Sequence, residues 1–118
     1  ESPDPIPVGT WRSVSASMNT FFSESALDDI AAATKRDPLE LRLSMLADER
    51  AQGVLKLAAE KAGWGTKLPR GRGRGIALGV GFDAYCAEVV EVSTRGGKVK
   101  IERIVCAFDC GTIVDPRN

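Results

Sequence analysis

A short stretch near the N-terminus, VGTWRSVSASMN at residues 8–19, carries residue types suited to binding an anion. A glycine, an aromatic residue, an arginine and small polar residues lead into a helical pattern. Backbone amides at the start of a helix can bind an anion, and Arg12 could add charge-assisted hydrogen bonds. The alternative is an ordinary capped helix with Trp11 as a hydrophobic anchor, and the residue types alone leave both open.

A second stretch, LPRGRGRGIALG at residues 68–79, alternates arginine with glycine. Its glycines fit no GxGxxG register, and no Lys-Ser or Lys-Thr pair closes a P-loop. The stretch also lacks the aromatic residues on which single-stranded nucleic acid stacks. We therefore expect a solvated loop that leads into a strand. The alternative is a phosphate or partner contact through Arg70, Arg72 or Arg74.

The three cysteines form no metal-binding motif, because no CxxC pair is present. On a strand, Cys106 and Cys110 would lie about 13 Å apart at roughly 3.3 Å per residue, too far to share one ion. Cys86 could approach Cys106 from a neighbouring strand as a chance contact in the core. We expect the cysteines to be small buried hydrophobic residues, and we assign no metal ligand.

No pair of carboxylates is suited to acid–base catalysis. Asp28 and Asp29 are adjacent on a helix and point apart. Glu88 and Glu91 fall on opposite faces of a strand, and Glu24 suits the positive end of a helix dipole. The absence of histidine excludes Ser-His and Cys-His catalysis within these residues. We expect the carboxylates to be solvated or to cap helices, and we assign no catalytic residue.

The composition is that of a soluble globular domain. The 118 residues suit one domain spanning 1–118, and sixteen basic residues balance sixteen acidic ones. A nucleic-acid-binding protein usually has a basic excess, because phosphate contacts supply its affinity. No apolar run approaches the roughly 20 residues of a membrane helix. The sequence starts without methionine and stops just after an apolar run, so we expect an internal piece of a longer protein.

Three helices are predicted in the first half of the chain. The first, residues 17–35, has an apolar face that consists of Phe22, Ala26, Ile30 and Ala33, with Leu27 and Ala31 beside it. Asp37 is suited to cap the second helix and Pro38 to begin it, with leucines along one side at Leu39, Leu43 and Leu46. The third, residues 49–62, ends at Gly63 and has the apolar stripe Val54, Leu55, Ala58, Ala59 and Ala62.

A small antiparallel sheet is predicted to follow, which makes the fold class α+β. Strands are expected at residues 76–82, 84–94 and 98–111, and residues 1–10 are expected to be extended. Glycines at 96 and 97 predict the turn of a hairpin over residues 84–108. Residues 104–108 are apolar at every position, so we expect this part of the last strand to be covered on both faces.

With these elements in order, the sequence resembles a segment of a known family. GTWRSVSASMNTFFSESALDDIAAATKRDPLELRLSML resembles the molybdopterin-binding large subunit of the xanthine dehydrogenase and aldehyde oxidase family. The WRSV form is most similar to the isoquinoline 1-oxidoreductase beta-subunit branch. Two later pieces, AAEKAGWG with LPRGRGRGIA and VVEVS with GKVKIERIVCAFDCGTIVDP, agree in the same order. The resemblance covers nearly the whole chain.

The resemblance implies an enzyme that hydroxylates N-heteroaromatic compounds or oxidises aldehydes with oxygen derived from water. Trp11, Arg12 and Ser13 would lie beside a molybdopterin-type cofactor, and Val14 would lie near substrate. Xanthine-oxidising relatives have a stacking phenylalanine where this chain has Val14, so a purine substrate is not expected. Trp11-Arg12 and residues 109–111 would form walls of one chamber. The family's catalytic glutamate has no counterpart here, so the isolated chain is expected to be inactive and to hold no cofactor.

The partners implied by the resemblance are the remainder of the molybdenum subunit, an iron–sulfur subunit or domain, and a small-molecule substrate. Neither nucleic acid nor a membrane span is expected, and both the bacterial cytoplasm and the periplasm remain open. The alternative function is a non-enzymatic interaction module that contacts an anionic partner through the loop from Arg70 to Arg74.

Overall fold

The computed structural model describes residues 9–117, in which three helices precede a three-stranded antiparallel sheet. The helices are α1 (Ala16–Thr34), α2 (Pro38–Met45) and α3 (Glu49–Ala62), and the strands are β1 (Arg72–Gly81), β2 (Ala84–Arg95) and β3 (Lys98–Asp109). The predicted α+β class is confirmed. The extended segment predicted for residues 1–10 lies almost entirely outside the described residues.

The boundaries of α2 and α3 follow from capping residues. Asp37 accepts hydrogen bonds from the backbone N–H groups of Leu39 and Glu40 at 2.8 and 3.1 Å. Asp48 caps α3 in the same way, and Gly63 ends that helix in the left-handed region at φ 69°. Each side-chain cap typically contributes about 1 kcal/mol, so these two short helices are defined largely by their own sequence.

The core lies between α3 and one face of the sheet. The predicted apolar stripe of α3 is buried, together with Ala51. It packs against inward-facing residues of the three strands, namely Ile76, Leu78, Ala87, Val89 and Ala107. The leucines predicted along one side of the second helix pack against the same cluster. The core is therefore formed by α3 and one face of the sheet, with the leucines of α2 at its edge.

The hairpin predicted for residues 84–108 is also present. β2 and β3 pair antiparallel, with a bulge between Glu91 and Val92. Gly96 and Gly97 form the turn at φ 58° and 73°, a region that glycine adopts without steric cost.

β1 is longer than predicted, because it begins at Arg72 rather than at Ile76. In the antiparallel ladder Arg72 is opposite Ser93 and Arg74 is opposite Glu91. The stretch leads into a strand as predicted, but the prediction that its loop extends to Gly75 is wrong.

The predicted buried face of α1 is also wrong. Phe22 is 65% exposed and Ile30 is 47% exposed, whereas Ala31 is buried. The helix instead turns Glu24 towards α2 and the sheet, because the buried guanidinium of Arg42 binds that carboxylate. A buried charge left without a partner costs more than the exposure of an apolar side chain, so this polar contact sets the rotation of α1.

The second half of β3 is covered on one face, not two as expected. Ala107 is buried against α3, but Phe108 is 62% exposed and Ile104 and Cys106 are exposed as well. Successive side chains on a strand point to opposite faces, and α3 covers the face that carries Ala107.

Within residues 9–117, no helix combines the length and apolarity that a membrane crossing requires.

Candidate functional site

Residues 11–15 form a tight turn in front of α1. The backbone N–H of Val14 donates to Trp11 O at 2.9 Å, and that of Ala16 donates to Ser13 O at 2.8 Å. Ser13 and Val14 have φ values of 67° and 50°, a left-handed conformation that is unusual for a β-branched residue. Backbone strain of this kind is often found at functional sites.

The side chains of this turn face solvent. Trp11 is 83% exposed, so the alternative in which it anchors the helix is wrong. Arg12 and Ser13 are exposed, and Arg12 forms no ion pair with another described residue. Ser15 precedes α1 without a side-chain capping bond. The turn therefore presents a guanidinium and a hydroxyl that are free to contact an anionic ligand.

A concave surface of about 700 Å³ lies between α1 and the open face of the sheet. Ser13 and Thr20 line it from one side, and Gly79, Cys86 and Phe108 line it from the sheet. Of the residues expected beside a cofactor, Ser13 reaches this surface, whereas Trp11 and Arg12 do not line it.

A buried ionic contact holds α1, and with it the turn, against the rest of the protein. Arg42 Nε donates to Glu24 Oε2 at 2.7 Å, and its Nη2 donates to Asp28 Oδ1 at 2.8 Å. Glu24 Oε2 also accepts the backbone N–H of Leu78 in β1 at 3.1 Å. The expectation that Glu24 acts at a helix end is wrong, since it lies within α1 and joins three elements. The sequence feature that could have indicated this buried ionic contact is the arginine within the leucine-rich segment LELRLSML.

The glycine-arginine stretch contributes a second partly buried ionic contact. Arg74 Nη2 lies 2.9 Å from Glu91 Oε1, and 9% of the Arg74 side chain is exposed. Arg74 also donates to the Gly63 carbonyl at 2.6 Å, and Arg103 approaches Glu91 at 3.8 Å. Arg74 thus links the end of α3 to the sheet and is not available to a partner.

Arg70 and Arg72 remain outward and belong to a basic groove. The groove, about 680 Å³ in volume, lies beside the β2–β3 turn, and its cationic residues are Arg70, Arg72, Arg95, Lys98 and Lys100. Glu102 is the one acidic residue among those that line it. Hydrogen bonds from Ser93 and Lys100 lower the pKa of Glu102, which keeps that carboxylate ionised and leaves an excess of positive charge.

The end of β3 is held to the start of α3. Arg50 forms a two-point contact with Asp109, Nη2 to Oδ1 at 2.7 Å and Nε to Oδ2 at 3.1 Å. The backbone N–H of Gly111 donates to Asp109 Oδ1 at 2.8 Å. The hydrogen bond from Arg50, with that from Gly111, lowers the pKa of Asp109 to about 2.

Residues 109–111 line a groove of about 560 Å³ with α3. Trp11 and Arg12 line neither this groove nor the concave surface beside α1. Within the described residues, neither surface is therefore lined by both of the stretches expected to wall one chamber.

Cys86 and Cys106 meet across β2 and β3, with their sulfur atoms 3.5 Å apart. The predicted approach is confirmed, but the predicted burial is wrong, because Cys106 and Cys110 are exposed and Cys86 is half-buried. Desolvation, followed by the hydrogen bond with Cys106, raises the pKa of the Cys86 thiol to about 11. A carboxylate oxygen of Glu88 lies within 4.8 Å of both sulfur atoms. The predicted hairpin indicated the approach of the two cysteines, but the position of Glu88 beside both of them was not predicted.

The sequence is similar to three curated proteins. It is 36% identical over 138 aligned residues to a nicotinate dehydrogenase subunit of Pseudomonas putida, covering 97% of this chain and 11% of that protein. It is 32% identical over 130 residues to the membrane-bound aldehyde dehydrogenase (pyrroloquinoline-quinone) of Gluconacetobacter polyoxogenes, covering 92% of this chain and 17% of that protein. It is 30% identical over 118 residues to the isoquinoline 1-oxidoreductase beta subunit of Brevundimonas diminuta, covering 94% of this chain and 15% of that protein.

These matches extend along nearly the whole of this chain but over a small part of each relative. The chain spans between 11% and 17% of the length of the proteins it matches. No protein-family model matches the sequence, and no solved structure matches it.

Proposed function

We propose that this chain, which is homologous to a short segment of the molybdopterin-binding large subunits of the xanthine dehydrogenase and aldehyde oxidase family, forms part of a molybdenum-dependent oxidoreductase. The observation that carries the proposal is the 36% identity to the nicotinate dehydrogenase subunit across 97% of the chain. The similarity to an isoquinoline 1-oxidoreductase beta subunit across 94% of the chain supports the same assignment.

The proposed substrates are N-heteroaromatic compounds or aldehydes. Two relatives are named for the N-heteroaromatic molecules nicotinate and isoquinoline, and one is named for aldehydes. Val14, half exposed on the turn, offers an aliphatic surface and no aromatic ring for stacking on a purine. We therefore propose hydroxylation or oxidation with water-derived oxygen, and not purine oxidation.

The exposed turn before α1 has a donor set that fits an anionic cofactor. Arg12 would bind anionic atoms of the cofactor through charge-assisted hydrogen bonds, and the Ser13 hydroxyl would add a neutral donor. Trp11 would cover part of the cofactor with its ring. When bound, the molybdenum cofactor would supply the oxygen-transfer and electron-accepting chemistry, while these residues hold and orient it.

Under this proposal, the reaction also requires a catalytic base and electron-transfer groups that lie outside these 118 residues. No described residue is assigned as the catalytic base, and iron–sulfur clusters would be held by a partner subunit or domain. We propose that the 118-residue chain is one internal domain of the complete subunit. Expressed alone, it should neither turn over an N-heteroaromatic substrate nor retain a molybdenum cofactor.

The test is purification of the native protein that contains this sequence, together with the subunits that copurify. Molybdenum content and the oxidation of nicotinate and of an aldehyde are measured with an artificial electron acceptor. Arg12→Ala should lower molybdenum content, since losing a hydrogen bond to a charged group costs roughly 1.5–3 kcal/mol and so weakens cofactor affinity at least about 10-fold. Arg36→Ala, which removes an exposed arginine bonded to Ser44, is the matched control.

One relative's name specifies pyrroloquinoline-quinone rather than molybdenum, and the same purification separates the two cofactors. Metal analysis detects molybdenum, and mass spectrometry of the released organic fraction detects the quinone. A preparation that is active with the quinone and free of molybdenum would overturn the proposal.

The basic groove favours a second candidate function, contact with an anionic partner. Five cationic residues and one acidic residue line it, so an anion would be attracted there even though the net charge of the chain is zero. Polyphosphate is a suitable probe. Its binding should weaken with added salt and fall in an Arg70→Ala, Arg72→Ala double variant, but not in Arg117→Ala.

A further inference from the structure

The open face of the sheet brings three potential metal ligands together. Glu88 is directly opposite Cys106 in the β2–β3 ladder, and Cys86 is opposite Phe108. Because alternate residues of a strand share a face, Cys86 and Glu88 project on the same side as Cys106. The three ligand atoms, two sulfurs and one carboxylate oxygen, all lie within 4.8 Å of one another.

The separation of the two thiols suits a shared metal ion. At a tetrahedral zinc ion with Zn–S bonds of about 2.3 Å, two sulfurs lie roughly 3.8 Å apart. The Cys86 and Cys106 sulfurs are 3.5 Å apart, whereas a disulfide requires about 2.05 Å. At this separation a single ion can lie about 2.3 Å from both sulfurs.

We propose that Cys86, Cys106 and Glu88 form a binding site for a thiophilic divalent cation, with Zn²⁺ as the preferred ion. Two thiolates and one carboxylate match the ligand types of zinc. A water molecule completes the coordination, since the chain offers three ligands here. The proposed cofactor turn supplies none of the three ligands, although Ser13 lines the same concave surface.

The electrostatic surroundings favour a cation. Among the described residues that line the concave surface beside α1, Glu88 alone is charged. Glu88 makes no ion pair with another described residue. No lysine or arginine therefore competes with the ion at this surface.

There is also space above the ligands. On β1, Gly79 is opposite Cys86 and Ala77 is opposite Glu88, so the neighbouring strand carries minimal side chains at this level. The concave surface extends from these residues to α1 with a volume of about 700 Å³. An ion bound to the three ligands would keep one position open to solvent or to a small ligand.

The experiment is a Co²⁺ titration of the full 118-residue chain, reduced with a reagent that contains no thiol. One equivalent should bind and produce a thiolate-to-cobalt charge-transfer band, and Zn²⁺ should displace it. Cys86→Ser and Cys106→Ser should each weaken binding at least about 100-fold, and Glu88→Gln about 10-fold, in line with the sensitivity of metal sites to their ligands and supports. Cys110→Ser, which removes the third cysteine, should leave binding unchanged.

The Glu88→Gln variant keeps the test decisive if a cysteine variant fails to fold, because Glu88 is exposed and circular dichroism can verify its fold. Arg12→Ala should bind Co²⁺ normally, which separates this site from the proposed cofactor turn. Absence of saturable Co²⁺ binding by the folded chain would overturn the proposal. Equal loss of binding in Cys110→Ser, or a Cys86–Cys106 disulfide that persists under the reductant, would also overturn it.

Discussion

Arg42 donates a hydrogen bond from Nε to Glu24 Oε2 at 2.7 Å although only 2% of its side chain is exposed. Its other nitrogens donate to Asp28, to the Glu24 carbonyl and to the Pro38 carbonyl. Every nitrogen of the guanidinium therefore has an acceptor on α1 or α2. Because Glu24 also accepts the backbone N–H of Leu78, this ionic contact joins α1 to α2 and to the sheet.

We predict that Arg42→Ala lowers the free energy of unfolding by about 3 kcal/mol, because removing one partner leaves a poorly solvated carboxylate uncompensated. Arg42→Met in a Glu24→Gln background should recover a large part of that loss, since both charges are gone. Urea denaturation measures both values, with Lys56→Ala on the exposed side of α3 as the control. A surface substitution usually changes the free energy of unfolding by no more than about 0.5 kcal/mol. An effect of Arg42→Ala within that range would show that the contact is dispensable.

Features of the fold that depend on neighbouring residues in sequence were predictable. Asp37 and Gly63 delimit helices through bonds to residues within four positions, and the stripe of α3 repeats with the helical period. The glycine pair at 96 and 97 determines a turn locally. In each case the physical cause lies inside one short segment, so the sequence contains it.

Contacts between elements that are not joined by one hairpin were not predictable. Glu24 and Arg42 are 18 positions apart, and their contact exists only once α1 and α2 are packed together. The approach of Cys86 to Cys106 was predictable, because one hairpin joins their strands. The apolar period of α1 predicted that Phe22 and Ile30 are buried, but both are exposed. The helix instead directs Glu24 inwards, where the carboxylate binds the buried guanidinium of Arg42. For the proposed cofactor site, the sequence indicated which residues lie before the first helix. The left-handed backbone of Ser13 and Val14 is visible only in the structure.

We predict that Arg74→Ala destabilises the chain by about 2 kcal/mol, because Glu91 is buried and would lose its nearest cation. Arg70→Ala should change the stability by less than about 0.5 kcal/mol, as expected of an exposed side chain. The two arginines belong to the same stretch, so they are matched controls for each other. Equal effects in thermal or urea unfolding would mean that the stretch behaves uniformly as a solvated loop.

We predict that the Asp109 contact stabilises the fold above about pH 4 and is lost under acid conditions. The pKa of Asp109 is lowered to about 2 in the folded chain, compared with about 3.9 in an unfolded chain. The folded state therefore binds fewer protons in this range, and the contribution declines as pH falls from about 4 towards 2. Asp109→Asn should be less stable than the parent at pH 6, and the difference should shrink near pH 2.

Asp29→Asn, on the exposed side of α1, provides the comparison for that titration. Its unfolding curve should follow the parent at both pH values. If Asp109→Asn lowers the free energy of unfolding by the same amount at pH 6 and pH 2, the stabilisation does not depend on the charge of the carboxylate.

Leu55→Ala should destabilise the chain by about 2–5 kcal/mol, because Leu55 is fully buried between α3 and the sheet and its truncation leaves a cavity. Leu57→Ala, two positions along the same helix but 46% exposed, should cost far less. Urea unfolding of both variants gives the comparison. Similar losses would indicate that the outer side of α3 is covered in solution, for example by a second copy of the chain.

The turn before α1 leads to a prediction in the opposite direction, that a substitution stabilises the chain. Val14 is held at φ 50°, and a left-handed conformation costs roughly 1–2 kcal/mol for a residue with a Cβ atom. Asparagine tolerates this region better without the backbone entropy loss of glycine, so Val14→Asn should raise the free energy of unfolding by about 0.5–1 kcal/mol. Val99→Asn, an exposed valine on β3, should be neutral or destabilising, because β-strands favour valine over asparagine. If Val14→Asn destabilises the chain as Val99→Asn does, the contacts of the valine side chain outweigh the backbone strain, and the turn is maintained by its side chains.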